Sequence, residues 1–385
     1  MIRGSTGPIS VILPIPGLAE ERRPSLRHLA AIRWGLLVAA LLLCLIGLAM
    51  VHSASSELRT DFLPRQAVWV GMGIIVMVIA FSIDYHVLLG LSIPLYLVGL
   101  VGLVLIFFLG HRAGGARSWI GIGAFGGQPS EFAKLATCLL LARTVAGANR
   151  RSLSARQAIS AVLVVAAPAL LVAIEPDLGG AAMFVPMLVG VLLVAGVRPR
   201  ILLGGALLLA VLGGALWSFG MREYQRQRVL TFLQPDRDPL GKGYQVQQGK
   251  IAVGSGGLLG KGYMQGTQSQ LRFLPARHTD FIFAALAEEW GFLGVAVTLS
   301  LFGFYLWNGA TIAMRARDRS GILLATGLLS LFAFHALYNT SMVVGLVPNT
   351  GIPLPFVSYG GSFMLLNFAS TGLLLGVDFR RYVNR

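Results

Sequence analysis

Residues 277–294 read RHTDFIFAALAEEWGFLG, a short polar start that runs directly into an apolar helix. Asp280 lies at the junction, and helical spacing places Ala284, Ala287 and Gly291 on one face below it. Such a stripe of small residues lets another helix or a ligand approach closely. A carboxylate at the mouth of a membrane helix is costly, so we expect it to cap the helix, to have a catalytic task, or both.

The composition of the whole chain places this helix in a membrane protein. Of 385 residues, 55% are hydrophobic and 12% are charged, whereas a soluble protein carries about 25% charged residues. Long apolar runs recur from near residue 34 to near residue 377, which predicts an all-α polytopic membrane protein. The two cysteines, Cys44 and Cys138, lie inside these runs and indicate neither a disulfide nor a metal site.

Ten transmembrane helices account for the apolar runs, each close to the ~20 residues that a bilayer requires. They are predicted at 34–52, 66–83, 87–109, 129–147, 158–174, 178–196, 201–219, 281–309, 321–346 and 357–377. The fourth is the least apolar because it carries Glu131 and Lys134. Residues 1–28 are predicted to form a cytoplasmic N-terminal arm, and residues 29–385 a single ten-helix domain.

Basic residues in the short connections predict the orientation of these helices. With ten spans, arginines before span 1, between spans 4 and 5, 6 and 7, and 8 and 9, and after span 10 all fall on one side. The positive-inside rule places that side and both termini in the cytoplasm. Asp280, Glu131 and the turns at 175–177 and 348–355 then share the outer side.

A large extracytoplasmic loop, residues 220–279, is predicted between spans 7 and 8, with nine basic residues against three acidic ones. Loops of this length are usually functional, and positive charge beside an outward-facing carboxylate suits phosphate. The run 254–262 (GSGGLLGKG) could add N–H groups for an anion, although it matches no nucleotide-binding spacing. A solvated loop is the alternative. We assign the net charge of +15 to topology and an anionic lipid ligand, not to nucleic acid.

Polar residues in and before the fourth predicted span also lie on the predicted outer side. Arg117 and Trp119 suit the membrane interface. Glu131 and Lys134, three residues apart, either neutralise each other or line a polar cleft that helps to hold substrate or position Asp280.

Two outward turns also carry polar residues. Asp177 can cap the next helix, belong to the site, or do both. Residues 349–362 (NTGIPLPFVSYGGS) break a helix at membrane depth, which is tolerated only against protein or a water-filled cavity. Ser358 and Tyr359 could donate hydrogen bonds into such a cavity.

Four polar residues inside the spans are first assigned structural roles. His335 and Asn339 share a helix face and are predicted to pair within the bundle rather than to bind metal. Glu288 and Glu289 are predicted to have protein partners, because a lipid-facing carboxylate is too costly. No Ser/His/Asp triad, HExxH, CxxC or P-loop pattern is present. One candidate acid without a covalent nucleophile or metal cage suggests general-base chemistry.

Several of these motifs together resemble the SEDS family (shape, elongation, division and sporulation). They are GARSWIGIG at 115–123, QPSEFAKL at 128–135, EPDLGG at 175–180, QSQLRFLPARHTDFIFAALAEEWGFLG at 268–294 and PNTGIPLPFVSYGGS at 348–362. GTQSQLRFLP at 266–275 is more similar to the elongation members than to the division members. Ala276 stands where the family usually has Glu, and residues 1–28 have no counterpart in the family pattern.

The resemblance implies a peptidoglycan glycosyltransferase of the bacterial inner membrane. Such proteins polymerise lipid II outside the membrane and release undecaprenyl pyrophosphate, and the elongation members work with a class B penicillin-binding protein that supplies the transpeptidase. Asp280 is implied as the essential residue, and we expect it to act as general base on the acceptor sugar hydroxyl. Direct displacement with inversion is expected, because no second carboxylate nucleophile is evident.

The site is predicted to combine Asp280 with residues that hold substrate or stabilise the leaving pyrophosphate. These are Arg117, Trp119, Glu131, Lys134, Asp177, Lys261, Arg277, His278, Thr279, Ser358 and Tyr359. A divalent cation such as Mg²⁺ or Mn²⁺ could assist them. The lipid tails are expected in a groove between spans, over the small-residue stripe below Asp280.

Two functions of other classes remain open from the sequence. A lipid II flippase would also use a bundle with charged residues inside it, but should carry polar residues along the whole path. A non-catalytic scaffold for a penicillin-binding protein would give no glycan product by itself.

Overall fold

The computed structural model describes residues 31–56, 61–113, 116–122, 125–147, 153–215, 226, 230–232, 242–271, 273–274 and 276–383. The predicted arm, residues 1–28, lies outside this part of the chain. Helices make up most of what is described, as the apolar runs predict.

The elements before the large loop are helices joined by short connections, with one small three-stranded antiparallel sheet between two of them. They are α1 Trp34–Ser55, α2 Leu63–Ser82, α3 Tyr85–Gly90, α4 Ser92–Leu109, β1 His111–Ala113, β2 Ala116–Ile122, β3 Phe125–Gly127, α5 Pro129–Ala146, α6 Ala155–Ile174, α7 Leu178–Ala182, α8 Phe184–Val194 and α9 Pro199–Ala215. The remainder are α10 Lys242–Ser255, α11 Thr267–Gln270, α12 Ile282–Arg315, α13 Arg319–Val343 and α14 Gly361–Val383.

Among the described residues, seven helices are long and apolar enough to cross a membrane: α1, α2, α4, α6, α12, α13 and α14. The class of a helical membrane protein is therefore confirmed. The other three predicted spans coincide with α5, with α7 followed by α8, and with α9. α5 carries three charged side chains, whereas α7 and α8 are two short helices that meet at Met183.

Side-chain caps explain where several helices begin. Ser154 and Gln157 form a capping box at the start of α6, which satisfies amide groups that the first helical turn leaves free. Asp177 accepts from the Gly180 N–H at 2.8 Å before α7. Asp318 accepts from the Gly321 N–H at 3.3 Å before α13. The predicted capping role of Asp177 is thus confirmed.

Charged and polar side chains join several helices at the basic end of the bundle. At the basic end, Arg380 Nε lies 3.4 Å from Asp84 Oδ2, and the Tyr85 hydroxyl donates to Asp318. The Arg33 N–H donates to Asp378 Oδ2 at 2.9 Å, which joins the start of α1 to the end of α14. These contacts bring the arginine-rich helix ends together, as the sequence predicts.

The helix α12 is broken at Gly291, whose φ of 63° and ψ of −161° are not helical. A left-handed φ of this kind favours glycine, because other residues place a Cβ too close to the backbone. The small-residue stripe predicted below Asp280 assumed one straight helix and is therefore interrupted at its last member. The apolar pattern on both sides of Gly291 gives no sign of the break.

The segment 257–262 fills this break with its own backbone. A break leaves carbonyl groups on one side and N–H groups on the other without helical partners. Here the N–H groups of Phe292 and Leu293 donate to the carbonyls of Gly257 and Leu258, at 2.8 and 3.1 Å. In return, the N–H groups of Lys261 and Gly262 donate to the carbonyls of Glu288 and Glu289, each at 3.0 Å. The broken helix and the loop therefore satisfy each other.

Candidate active site

Asp280 lies in the turn just before α12, with its side chain partly exposed. The N-cap position of α12 is Phe281, not Thr279 or Asp280, the two residues predicted as caps. A Cβ built on Gly351 would lie 3.4 Å from Asp280 Oδ2, so the carboxylate rests against the backbone of the segment 344–360 between α13 and α14. This segment is the predicted break in the helix at membrane depth.

Asn339 links Asp280 to the segment 344–360. Its side chain is fully buried in α13, and Nδ2 donates to the carbonyl of Asp280 at 2.9 Å and to that of Ile352 at 2.7 Å. The Asn339 amide group thus joins the segment that carries Asp280 to the segment that carries Gly351. The sequence predicted that Asn339 pairs within the bundle, and these two carbonyls are its described partners there.

Ser358 and Tyr359 make two further ties to the residues just before Asp280. The Ser358 hydroxyl donates to the Thr279 carbonyl at 2.6 Å and accepts from the Leu354 N–H at 2.8 Å. The Tyr359 N–H donates to the His278 carbonyl at 2.9 Å. Ser358 was predicted to donate into a cavity, but its hydroxyl is used to hold the backbone beside Asp280. Three hydrogen bonds to successive carbonyls, 278 to 280, therefore fix the acid.

An aromatic stack flanks this side of the site. The His278 ring lies parallel to that of Phe62 with centroids 4.7 Å apart, and Tyr359 packs against Phe62 at 4.9 Å. Burial, and then the charge of Arg277, lower the pKa of His278, so this imidazole is neutral near pH 7. Arg277 itself is buried and does not present its guanidinium at an open surface.

Two residues at the start of α2 belong to this neighbourhood but were missed in the sequence. Gln66 is fully buried, and its amide donates to the Ser358 carbonyl at 3.2 Å and accepts from the Gly360 N–H at 3.4 Å. Arg65 is exposed, and its charge opposes the rise that burial causes in the pKa of Tyr359. An arginine at the outer end of a predicted span is the signal that could have found it.

Glu131 and Lys134 form a buried ion pair in α5. Lys134 Nζ lies 2.8 Å from Glu131 Oε1, with the lysine side chain 1% exposed. The ammonium group also lies 5.9 Å from the centre of the Phe363 ring, against which His335 packs. The pair therefore neutralises itself between α5, α13 and α14. The alternative, an open cleft in which Lys134 meets a substrate, is not the arrangement seen.

The turn at 175–177 lies next to the segment that carries Gly351. A Cβ on Gly179 would meet the Thr350 carbonyl at 2.8 Å, and Asp177 Oδ2 accepts from the Gln128 side chain at 3.3 Å. Asp177 is thus used both as a cap and as a link to the start of α5. Burial, reinforced by the charge of Asp177, raises the pKa of Glu175 to about 8, so Glu175 is mainly protonated at neutral pH.

Glu288 holds the large loop against α12. Its buried carboxylate accepts from Lys261 Nζ at 2.7 Å and from the Thr267 hydroxyl at 3.1 Å. It also accepts from the N–H groups of Gln268 and Ser269, at 2.9 and 3.2 Å. Lys261 was predicted to face the pyrophosphate, but here its ammonium group neutralises a buried acid.

Glu289, the second carboxylate, ties the same loop to α1. It accepts from the Ser53 hydroxyl at 2.5 Å, from the Met264 N–H at 3.1 Å and from the Ser269 hydroxyl at 3.3 Å. Both glutamates are buried, so the prediction that they have protein partners is confirmed. Together they fix the loop that precedes Asp280.

Two predictions about this region are wrong. The small-residue stripe was expected to face lipid tails, but Ala287 is covered by Gly256, whose added Cβ would overlap the Ala287 carbonyl. The run 254–262 was expected to offer N–H groups to an anion, but those of Gly260, Lys261 and Gly262 donate to protein carbonyls. The glycines serve close packing of loop on helix.

This packing predicts opposite effects for two neighbouring glycines. Gly256→Ala forces its Cβ onto the Ala287 backbone and should destabilise the protein by about 1–3 kcal/mol. Gly254→Ala, the matched control inside α10, meets nothing within 4 Å and should stabilise it by roughly 0.5–1 kcal/mol. Thermal unfolding in detergent measures both. Equal shifts for the two variants would contradict the packing of the loop on α12.

The remaining predicted site residues are only partly described. Arg117 and Trp119 belong to β2, but their side chains lie outside the described part of the structure. Thr279 donates its hydroxyl to the Ala276 carbonyl at 3.2 Å. Within the described chain, no three His, Cys, Asp or Glu side chains come together as metal ligands. We therefore derive no step through a divalent cation.

Comparison with protein families gives a match over nearly the whole chain. The family model for cell cycle proteins of the FtsW/RodA/SpoVE type matches residues 33–382. Peptidoglycan glycosyltransferase MrdB of Escherichia coli K12 is 39% identical over 343 residues, 89% of this chain and 92% of that protein. Peptidoglycan glycosyltransferase RodA of Treponema pallidum is 31% identical over 421 residues, 90% of this chain and 97% of that protein.

Two solved structures also have a fold similar to that of this chain. The rod shape determining protein RodA of Thermus thermophilus superposes with a TM-score of 0.69 at 30% identity, covering 91% of this chain and 98% of that one. A chain from a peptidoglycan synthase complex that coordinates polymerization and crosslinking gives a TM-score of 0.80 at 33% identity, with 91% and 99% covered.

Proposed function

The chain belongs to the FtsW/RodA/SpoVE family of cell cycle proteins, and we propose that it is a peptidoglycan glycosyltransferase in which Asp280 acts as general base. The family match confirms the resemblance to SEDS proteins that the motifs indicate. Its substrate is lipid II, a disaccharide-peptide carried on undecaprenyl pyrophosphate, and its product is a glycan strand for cell elongation.

In the proposed reaction, Asp280 removes the proton from the acceptor sugar hydroxyl. The oxygen forms a bond to the anomeric carbon of the donor while the bond from that carbon to the pyrophosphate breaks. Undecaprenyl pyrophosphate leaves with the electron pair, and the proton stays on the Asp280 carboxyl until water takes it. Direct displacement inverts the anomeric carbon.

The observation that carries this proposal is the way in which Asp280 is held. Its backbone and the two preceding carbonyls are fixed by Asn339, Ser358 and Tyr359, while its carboxylate stays partly exposed beside Gly351. A base must be fixed to within a fraction of an ångström yet open to substrate.

The leaving pyrophosphate requires a cation near this carboxylate. Lys134 and Lys261 are each bound to a glutamate, so we assign this role first to Arg65. Arg65 is exposed and close enough for its charge to act on Tyr359, whose own N–H donates to the carbonyl of His278, two residues before Asp280. A guanidinium group presents paired N–H donors that match phosphate oxygens.

The membrane arrangement follows from the same chemistry. Lipid II is polymerised outside the cytoplasmic membrane, so the Asp280 end is the outer end and the arginine-rich end is cytoplasmic. Ten crossings, of which α5 is less apolar and α7–α8 and α9 are shorter than the others, put both termini inside. Residues 29–385 then form one domain that includes the outer loop 220–279, and residues 1–28 are a cytoplasmic arm.

The proposed partner is a class B penicillin-binding protein. The similarity to a chain of a peptidoglycan synthase complex supports such a partner. Glycan strands made at the Asp280 site would be crosslinked by the transpeptidase of that protein.

Purified chain incubated with lipid II is expected to give a ladder of glycan strands without any added transferase, together with released undecaprenyl pyrophosphate. Electrophoresis of labelled lipid II resolves the ladder. A scaffold would give product only when an active transferase is added. A flippase would move lipid II across vesicle membranes without extending it. Either of these results would contradict the proposal if the folded chain gave no ladder even together with its partner.

A further inference from the structure

The tip of the large loop, residues 256–260, combines two properties that are rarely found together at a protein surface. Its side chains are apolar and exposed, with Leu258 72% and Leu259 76% exposed. Part of its backbone nevertheless bonds to protein: the carbonyls of Gly257 and Leu258 accept from α12, and the Gly260 N–H donates to the Gly256 carbonyl at 2.9 Å. Water is not needed to satisfy these groups.

Backbone groups that bond to protein lower the cost of bringing a loop up to hydrocarbon. Non-helical backbone in lipid is very costly unless its N–H and C=O groups bond to protein. The break at Gly291 supplies those partners, because the N–H groups of Phe292 and Leu293 point out of α12 toward the tip. The ten residues 251–260 (IAVGSGGLLG) contain no ionisable side chain.

The depth of the tip follows from its contact with α12. Beyond the break, α12 carries exposed apolar side chains from Phe292 to Met314 and then ends at Arg315. That stretch is roughly 33 Å long at about 1.5 Å per residue, which matches a hydrocarbon core of ~30 Å. Phe292 therefore lies at one boundary of the core, and the tip, bonded to it, lies at the same level.

The ion pair of Lys261 and Glu288 lies directly after the leucines of the tip, and the exposed side chains of Tyr263 and Met264 follow it. Lys261 follows the tip directly and is 27% exposed at its side chain, with its ammonium group held by Glu288. Beyond it, Gln265 is exposed and polar. Leucines followed within seven residues by a paired lysine, an exposed tyrosine and a glutamine are typical of a segment that passes from hydrocarbon into the interface, where tyrosine is enriched.

We propose that Leu258 and Leu259 insert into the lipid leaflet at the Asp280 end of the bundle and anchor the large loop there. The partner is the acyl-chain region of the bilayer itself. The loop is thereby held at three places, at Glu288, at Glu289 and at the membrane, and the start of α12 is held with it. The insertion of Leu258 and Leu259 into the bilayer does not depend on the reaction proposed for Asp280.

Spin labels test the proposal directly. Leu259→Cys and Leu258→Cys are made in a chain whose two buried cysteines, Cys44 and Cys138, are replaced by Ala, and the labelled protein is placed in lipid nanodiscs. Collisions with oxygen, which concentrates in hydrocarbon, are compared with collisions with a water-soluble nickel chelate. The ratio of oxygen to nickel collisions is expected to be several-fold higher at residues 258 and 259 than at a label on Gln265→Cys.

One further position, together with residue 265, decides between the possible outcomes. A label on Phe292→Cys, on the membrane-facing side of α12, should match Leu259→Cys. Nickel accessibility at residue 259 equal to that at residue 265 would overturn the proposal, because the tip would then lie in water. Exclusion of both reagents at residue 259, while residue 292 stays accessible to oxygen, would also overturn it, since protein would cover the tip.

Discussion

Asp280→Asn is expected to lower the rate of glycan polymerisation by about 100- to 10,000-fold, the usual contribution of a general base. The substitution keeps the size of the side chain but removes its ability to accept a proton. The fold should persist, because Asn339 holds the Asp280 carbonyl and not its carboxylate. The rate is measured with purified protein and labelled lipid II, and thermal unfolding is recorded on the same preparation.

Asp61→Asn is the matched control for this variant. Asp61 is an exposed carboxylate whose Oδ1 accepts from the Leu63 N–H at 2.9 Å and from the Ser55 hydroxyl at 3.3 Å. It precedes α2, at the same end of the bundle as Gln66, and makes structural contacts of the kind that a capping residue makes. It should lose little activity. Similar rate losses in Asp61→Asn and Asp280→Asn would argue that the effect is structural.

Lys134→Met is expected to destabilise the protein by about 3–5 kcal/mol, because it leaves a buried carboxylate without its cation. Glu131→Gln leaves the buried ammonium group unpaired and should be damaging for the same reason. The double variant removes both charges and should recover most of the loss. Exchanging the two charges should also restore more expression than either single reversal. Thermal unfolding and expression level measure these effects.

Arg143→Met tests whether loss of any cation from α5 is equally harmful. Arg143 is exposed in the last turn of the helix and donates to the carbonyls of Leu89 and Gly90, at 3.2 and 2.9 Å. Its removal should cost less than that of Lys134, because water can replace these bonds. If the double variant of Glu131 and Lys134 were as damaged as both single ones, each residue would have its own separate task.

Local patterns in the sequence predicted the fold well, but not the bend in α12. Runs of apolar residues locate membrane helices because the hydrocarbon of a bilayer excludes polar side chains. Gly291 lies in a run that reads as continuous helix, and glycine is common inside membrane helices. What breaks the helix is a set of hydrogen bonds to residues 257–262, about 30 positions earlier. No local pattern carries that information.

The candidate site was predicted in the same uneven way. Asp280 could be selected as a candidate from the sequence because a carboxylate at the mouth of a membrane helix is costly without partners or a task. The roles of the cations were harder to predict, since Lys261 and Lys134 have partners that only the folded chain reveals. Arg65 was missed because it meets Tyr359 from 294 positions away along the chain. Charge in a sequence shows how many cations are available, but not which ones are already neutralised.

The central claim is that Asp280 performs chemistry rather than binding, and one comparison tests it most directly. Lipid II affinity and the single-turnover rate of polymer formation are measured on the same Asp280→Asn preparation. We predict an affinity within about threefold of that of the unaltered chain and a single-turnover rate at least ~100-fold lower. An affinity that falls in proportion to the rate, or a single-turnover rate that is unchanged, would contradict the claim.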